Sequence, residues 1–308
     1  MRFSLQGLEG RLIGRRGVYR YILPHPLLRP FIAHYTLTVP GRSGMGPELT
    51  LFPDASGCLV FRLGEWETQA YYWGPTTRTA AVQNDLEEVF RFFVEFRPCG
   101  AFALTGLSQA DLADCRYALD AVDSQAERQL AGILAGCGEL RACTEAVDRF
   151  FLKRLEKGRL SGAQEQLCRL LGAQAGPRSA GELAGELGYS LRHAGRIALP
   201  VLGMGLKTYE RLLRLNLAVS QLKTLDKTFA HLSQEAGYYD QPHFIHDFKR
   251  LTGKTPREYL QNLSGFYNEE LKFPAILRDS SSVFMAEERK SGLENDGGRQ
   301  RFERLYSL

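Results

Sequence analysis

Apolar and polar positions change period once along the chain. In the run 88–97, Phe90, Phe92, Val94 and Phe96 alternate with Arg91, Phe93, Glu95 and Arg97. A period of two predicts a strand with one face in a core. The same pattern predicts strands through 32–39, on both sides of a Pro-Asp-Ala-Ser-Gly turn within 48–64, and in the aromatic run 68–75, with Pro24, Pro26, Pro30 and Pro40 as punctuation. Residues 1–20 are glycine- and arginine-rich with weak periodicity and fit either a frayed leader or a first strand. After Pro98, Cys99 and Gly100 the spacing lengthens to three or four, with Ser108 and Asp111 as helix-start signals and helices expected over 124–136 and 139–157. Ala146, Val147, Phe150, Phe151 and Leu155 line one stripe of the second helix. That stripe either packs on the β unit or forms a helical dimer seam.

Glycines and charges interrupt the pattern at 156–162, as a linker would, and the rest is helical. A helix over 163–173 turns Leu167, Leu170 and Leu171 inward. Ser179 and Glu182 have the spacing of a capping box, in which hydroxyl and carboxylate satisfy free backbone donors reciprocally. Leu183, Ala184 and Leu187 follow as a packing face, Gly188 to Ser190 as a turn, and Arg192 and Arg196 one turn apart on the next helix. A long helix over 208–225 would make a strut of roughly 27 Å. Residues 228–260 repeat the plan: Phe229, Leu232, Ser233 and Ala236 on one helix, Gly237 at its end, Asp240 as N-cap and Pro242 in the following first turn. Phe244, Phe248 and Leu251 then form a buried stripe opposite Gln241, Ile245, His246 and Lys249.

The stretch 228–260 resembles the second helix-turn-helix of AraC/XylS-type transcriptional regulators. The resemblance rests on Gly237 and Tyr238, Asp240 and Gln241, His243 and Phe244, Phe248, Lys249 and Arg250, and Gly253, Thr255, Pro256 and Tyr259. The first unit departs from that family's pattern: Ala198 stands for a phenylalanine, Pro200 for a helix former, and Leu206 for a proline. Pro200 would shorten or kink the helix unless it lies at its end, and Ala198 would leave a void costing about 2–4 kcal/mol in an unadapted core. The N-terminal half is similar to a poorly characterised β-rich domain often fused to AraC-type modules. Its matching residues are Leu28 to Phe31 with His34 and Tyr35, Phe52 to Asp54 with Leu59 to Phe61, Gly74 and Pro75, and Val94 to Pro98 followed by Gly106 and Leu112. This resemblance implies a sensory or dimerising role.

Composition changes the picture little. The chain has 308 residues, enough for about two domains, and an ordinary 44% hydrophobic content. No apolar run is long enough to span a bilayer and the N-terminus lacks a signal-peptide stretch, so a cytoplasmic protein without membrane partners is expected. The net charge of +4 does not itself argue for nucleic acid, but residues 163–263 hold 13 Lys/Arg against 9 Asp/Glu and four of the six histidines. Six cysteines show neither a C-x-x-C pair nor zinc spacing, which makes reduced structural thiols the expectation and a thiol sensor the alternative. His25, His34, Glu48 and Asp54 are scattered candidates for acid/base or metal chemistry without the necessary spacing. No enzyme activity, cofactor or metal is expected.

The expected fold is an α+β multidomain chain. It has a β-rich, barrel- or sandwich-like N-terminal domain with helices at 1–157, a linker at 158–162, an all-α double helix-turn-helix domain at 163–263, and a disordered tail at 264–308 in which Phe266, Tyr267, Phe273, Phe302 and Tyr306 are candidate anchors. By resemblance, Arg192 and Arg196 in the first unit and Gln241, Pro242, Ile245 and His246 in the second are base-reading candidates, while Lys249, Arg250, Lys254 and Arg257 add phosphate contacts. Gln241 suits adenine, Ile245 a thymine methyl, and His246 stands where an arginine is common. The expected partner is double-stranded DNA, with RNA polymerase, a small-molecule effector and a second copy of the chain as further candidates. An effector pocket would be lined by Tyr71, Tyr72, Trp73 and the strand 90–96, residues whose first reading is an aromatic core. The alternative function is a ligand-responsive or protein-interaction module whose first unit no longer binds an operator.

Overall fold

Two-residue alternation builds the N-terminal domain. The computed structural model describes residues 4, 7–8, 10–16, 18–41, 48–83, 89–158, 160–172, 178–222, 228–261 and 266–267. Its strands are β1 (Leu12–Arg16), β2 (Tyr19–Ile22), β3 (Ile32–Thr38), β4 (Glu48–Leu51), β5 (Cys58–Leu63), β6 (Thr68–Trp73), β7 (Ala80–Gln83), β8 (Phe90–Phe96) and β9 (Arg116–Ala118). Seven of them form one antiparallel sheet in the order β1-β2-β3-β8-β5-β6-β9. Strands lie within residues 12–22, which resolves the open choice at the N-terminus in favour of a first strand. β7 has no counterpart among the predicted strands; it pairs with β4 as part of a second, three-stranded sheet.

The expected core face of β8 is present: Phe92, Val94 and Phe96 are fully buried with Tyr35, Leu59, Phe61 and Tyr72. Helices α1 (Gly100–Thr105), α2 (Leu119–Gly136) and α3 (Leu140–Lys157) contribute to this core, and Val147, Phe150 and Phe151 of the α3 stripe point into it. Asp148 ties α3 to the sheet by accepting from the Tyr35 hydroxyl at 2.9 Å and pairing with Arg11 at 2.8 Å. The opposite face of β8 differs from a simple solvated face, since Arg91 and Glu95 are also buried. A smaller apolar cluster of Val18, Tyr19, Tyr21 and Leu49, with Val82 against it, joins the two sheets and covers this end of the face. A strand sequence reports its own alternation but not what lies above it.

The chain then becomes helical: α4 (Gly162–Gly172), α5 (Ala180–Glu186), α6 (Leu191–Leu202), α7 (Leu206–Leu222), α8 (Phe229–Glu235), α9 (Gln241–Thr252) and α10 (Pro256–Gln261). α4 starts at the last residue of the expected linker. α7 begins two residues before the predicted strut and at 17 residues is about 26 Å long. Beyond α10, Phe266–Tyr267 (β10) pairs in parallel with Thr50 and Leu51 of β4, so the chain returns to the N-terminal domain at two of the proposed anchor positions. The predicted disorder and the anchors at Phe273, Phe302 and Tyr306 lie outside the described residues.

Candidate nucleic-acid interface

Each helix pair is set by its caps. In the first, the Ser179 hydroxyl accepts from the Glu182 amide at 3.1 Å and the Glu182 carboxylate accepts from the Ser179 amide at 2.7 Å, completing the capping box of α5. This bonding holds the Glu182 carboxyl below the usual carboxylate range. In the second, the Thr228 hydroxyl accepts from the His231 amide at 3.3 Å to cap α8. Both turns depend on a glycine in the left-handed region, Gly188 at φ 75° and Gly237 at φ 77°, where a Cβ would be strained. The helices that follow are capped by Ser190, accepting from His193 at 3.3 Å, and by Asp240, accepting from His243 at 2.8 Å.

The two units are repeats of one plan. Their turn glycines are 237 − 188 = 49 residues apart, and the glycines ending α6 and α9, Gly203 and Gly253, are 253 − 203 = 50 apart. The second turn is therefore one residue longer. Counting by 50, Phe244 and Phe248 correspond to Ala194 and Ala198, and all four are fully buried in the common helical core. α7 braces both units. Glu210 accepts from the Ala180 amide at 2.9 Å and pairs with Arg214, while Arg211 donates through Nε to Asp247 of α9 at 2.9 Å.

The structure places the predicted contacts unequally. Arg192, Arg196, Pro242, His246, Lys249, Arg250, Lys254 and Arg257 are exposed, whereas Gln241 is half-exposed and Ile245 is half-buried against the helical core. A guanidinium nitrogen of Arg196 lies 3.4 Å from Nδ1 of His193, whose ring stacks on Tyr189 at 4.5 Å. Exposed Tyr239, in the lengthened turn before α9, was missed as a candidate because nothing in its spacing separates it from an ordinary turn residue; it is 91% exposed.

The departures in the first unit also find a place. Pro200 lies inside the last turn of α6, which continues to Leu202, so the helix is not shortened. Leu206 is buried at the start of α7. At the end of α6, a Cβ on Gly203 would come within 2.6 Å of Pro75 and 2.7 Å of the Gln109 carbonyl, so this glycine admits the N-terminal domain. On the second unit the same domain inserts Phe52, whose ring lies 6.4 Å from Phe248 and 5.1 Å from Tyr259.

The other candidate residues do not converge. Tyr72 is core, with its hydroxyl donating to Gln109 at 2.7 Å, whereas Tyr71 and Trp73 sit under the Arg116 guanidinium at 4.9 and 5.4 Å. Buried Arg91 neighbours Arg62 across the β5/β8 pairing; burial first, and Arg62 second, lower its pKa to about 10. Among the described residues no group of three or more His, Cys, Asp or Glu could hold a metal ion, and no helix is long and apolar enough to cross a membrane.

Residues 183–262 match the family model described as a helix-turn-helix domain, and residues 20–117 match a domain of unknown function, DUF6597. No curated protein matches the chain. Among solved structures it is similar to an apo lysine-to-alanine variant of ToxT from Vibrio cholerae, with 14% identity, 73% of this chain and 96% of that chain covered, and a TM-score of 0.36. ToxT from Vibrio cholerae O395 follows at 13% identity, 76% and 91% coverage and a TM-score of 0.35. The transcriptional regulator CdpR from Pseudomonas aeruginosa has 19% identity over 56% of this chain and 45% of that chain, with a TM-score of 0.28.

Proposed function

We propose that residues 183–262, which match a helix-turn-helix family model, form an AraC-type DNA-binding domain of a transcription regulator, and that the protein reads adjacent major grooves with two helix-turn-helix units, the second dominant. The observation that carries this reading is the repeat itself: two capped helix pairs, 49 to 50 residues apart, both braced by α7. Two recognition helices on one rigid strut suit successive grooves about 34 Å apart. In this reading α9 supplies Gln241 and His246 to base edges, with Pro242 and Ile245 as apolar contacts, while Lys249 and Arg250 meet phosphates. Arg192 and Arg196 serve α6. Ile245 contributes least, because its side chain already packs partly against the helical core.

The second reading, a ligand-responsive or protein-interaction module without conventional operator binding, draws on the small Ala194 and Ala198 and the N-terminal domain seated at Gly203. The exposure of Arg192 and Arg196 favours the first reading. Selection of bound genomic fragments by the full chain decides between them. Two half-motifs one helical turn apart are expected; a single motif would leave only one reader, and no selective binding at moderate salt would sink the proposal. A homodimer, an effector and a contact with RNA polymerase are compatible with this role, and the regulatory sign follows from where the motif lies relative to promoters.

A further inference from the structure

A groove of about 1230 Å³ opens between α1, α2 and α3, with Gly158 and Leu160 of the linker also in its wall. Tyr71, Tyr72, Trp73 and β8 take no part in it. Phe102, Leu107, Ile133, Phe150 and Leu160 give the groove apolar surface, and Arg149, Lys153, Arg154 and Lys157 line it from α3. Asp123 is the one carboxylate among the lining residues. Arg154 donates to both of its oxygens, at 2.5 and 3.0 Å, and lies 4.9 Å from the Phe150 ring centroid. That pair is structural: Asp123 interrupts α2 at φ −153° and ψ 77°, and its carboxylate accepts from the Ala126 amide at 2.9 Å where the helix resumes. Arg149, Lys153 and Lys157 are left over. They stand one turn apart along about 12 Å of α3, are exposed, and close no ion pair among the described residues. Glu145, a turn before Arg149, is held by Arg141 at 2.9 Å. The groove therefore complements an anion that carries apolar surface.

The same groove reaches the first helix pair. Phe102 packs on the helical core as well as lining the groove. The Leu107 carbonyl accepts from Nε2 of Gln109 at 2.8 Å, and Gln109 is buried at the end of α6, where a Cβ on Gly203 would come within 2.7 Å of its carbonyl. A shift of Leu107 thus moves a buried amide that is set against α6. We propose that the groove binds an organic anion with an elongated apolar body, and that its occupancy is transmitted through Leu107 and Gln109 to α6. Arg149, Lys153 and Lys157 hold the carboxylate or phosphate head, and Phe102, Leu107 and Ile133 cover the body. A cleft at a domain junction with apolar walls and a few convergent charges is the usual setting of a small-ligand site. The ligand acts on α6 by as much as it binds one position of Leu107 better than another. Binding itself needs no DNA; its consequence for operator affinity rests on the reading of α6 as a DNA-contacting helix.

The test titrates the full-length protein, in a calorimeter, with decanoate and with decyl phosphate below their micelle concentrations, against 1-decanol and decyltrimethylammonium as the neutral and cationic counterparts. Saturable binding of an anion is expected, with the alcohol weaker and the cation silent, and the tighter of the two anions identifies the head. Lys153→Glu and Arg149→Glu should each weaken that anion about tenfold or more. Arg128→Glu, exposed on α2 outside the groove, should leave it unchanged. No binding of either anion, equal binding of all four probes, or an affinity indifferent to Lys153→Glu and Arg149→Glu would overturn the proposal. Hydrogen exchange read by mass spectrometry tests the transmission without DNA: the bound anion should slow exchange over both 100–110 and 191–203, and protection confined to the groove would break the link to α6. Mobility shifts on the selected motif, with and without the anion, keep the two readings apart. Altered exchange in α6 without operator binding in either state would uphold the groove and count against the DNA-binding role.

Discussion

His246 and Arg196 stand on corresponding helices but in different company. His246 is exposed on α9 with Lys249 and Arg250 close by in sequence, whereas the Arg196 guanidinium shares its surroundings with His193 at 3.4 Å. A side chain engaged by its own helix gives up part of that contact when it turns to a base. His246→Ala or Gln241→Ala should therefore lose about 1–3 kcal/mol of discrimination between the selected site and its single-base variants, and Arg196→Ala less, as read by competition mobility shifts. The reverse order would make the first unit the leading reader. Lys249→Ala should behave differently: binding weakens to all sequences alike, and the slope of log affinity against log salt falls by about 1.

The caps carry their own predictions at the level of the helix. Bonding to Ser179 and Thr255 lowers the carboxyl pKa of Glu182 and Glu258 below the unperturbed 4.5. A carboxylate with a depressed folded pKa binds its proton more readily when unfolded. Its contribution is thus complete above 4.5 and is lost as pH falls through the lower folded value. Glu182→Gln should flatten the acid side of the stability profile in melting experiments between neutral pH and pH ~3, and an unchanged profile would separate the box from acid sensitivity. Asp240→Ala removes the acceptor for the His243 amide and should cost about 1 kcal/mol of stability. The Ser179–Glu182 box and the Asp240 cap were legible in the sequence because a cap is a matter of three or four consecutive residues. The core face of β8, the two turn glycines and most helix limits were legible for the same reason. β7, the buried second face of β8 and the seat of Gly203 were not, since each is created by residues brought from elsewhere in the chain. Ala198 and Pro200 suggested a damaged helix when weighed alone; in the fold, α6 runs through Pro200 and ends against Pro75 and Gln109.

At the scale of the whole molecule, the N-terminal domain touches both helix pairs, and this should govern how the protein unfolds. Phe52 packs against both Phe248 and Tyr259 at the second unit, Pro75 and Gln109 meet Gly203 at the first, and Cys99 enters the helical core. An ordinary inter-domain contact is polar and permits relative motion; an aromatic ring seated in the neighbouring core couples the two halves instead. Phe52→Ala removes that ring from a position 5% exposed, where such truncations cost about 3–5 kcal/mol. If the interface couples the domains, calorimetry should find one transition in the wild type and two in Phe52→Ala, the helical domain melting earlier. Gly203→Ala tests the other contact by a separate route, since φ 72° and the approach of Pro75 both oppose a Cβ. The left-handed conformation alone should cost about 1–2 kcal/mol, with the clash adding to it. If Phe52→Ala and Gly203→Ala each leave a single transition at an unchanged temperature, the domains are not coupled through these contacts. If both split it, the spacing and orientation of the two helix pairs are fixed by the N-terminal domain as well as by α7, and a ligand or modification at that interface would reach α6 and α9 together.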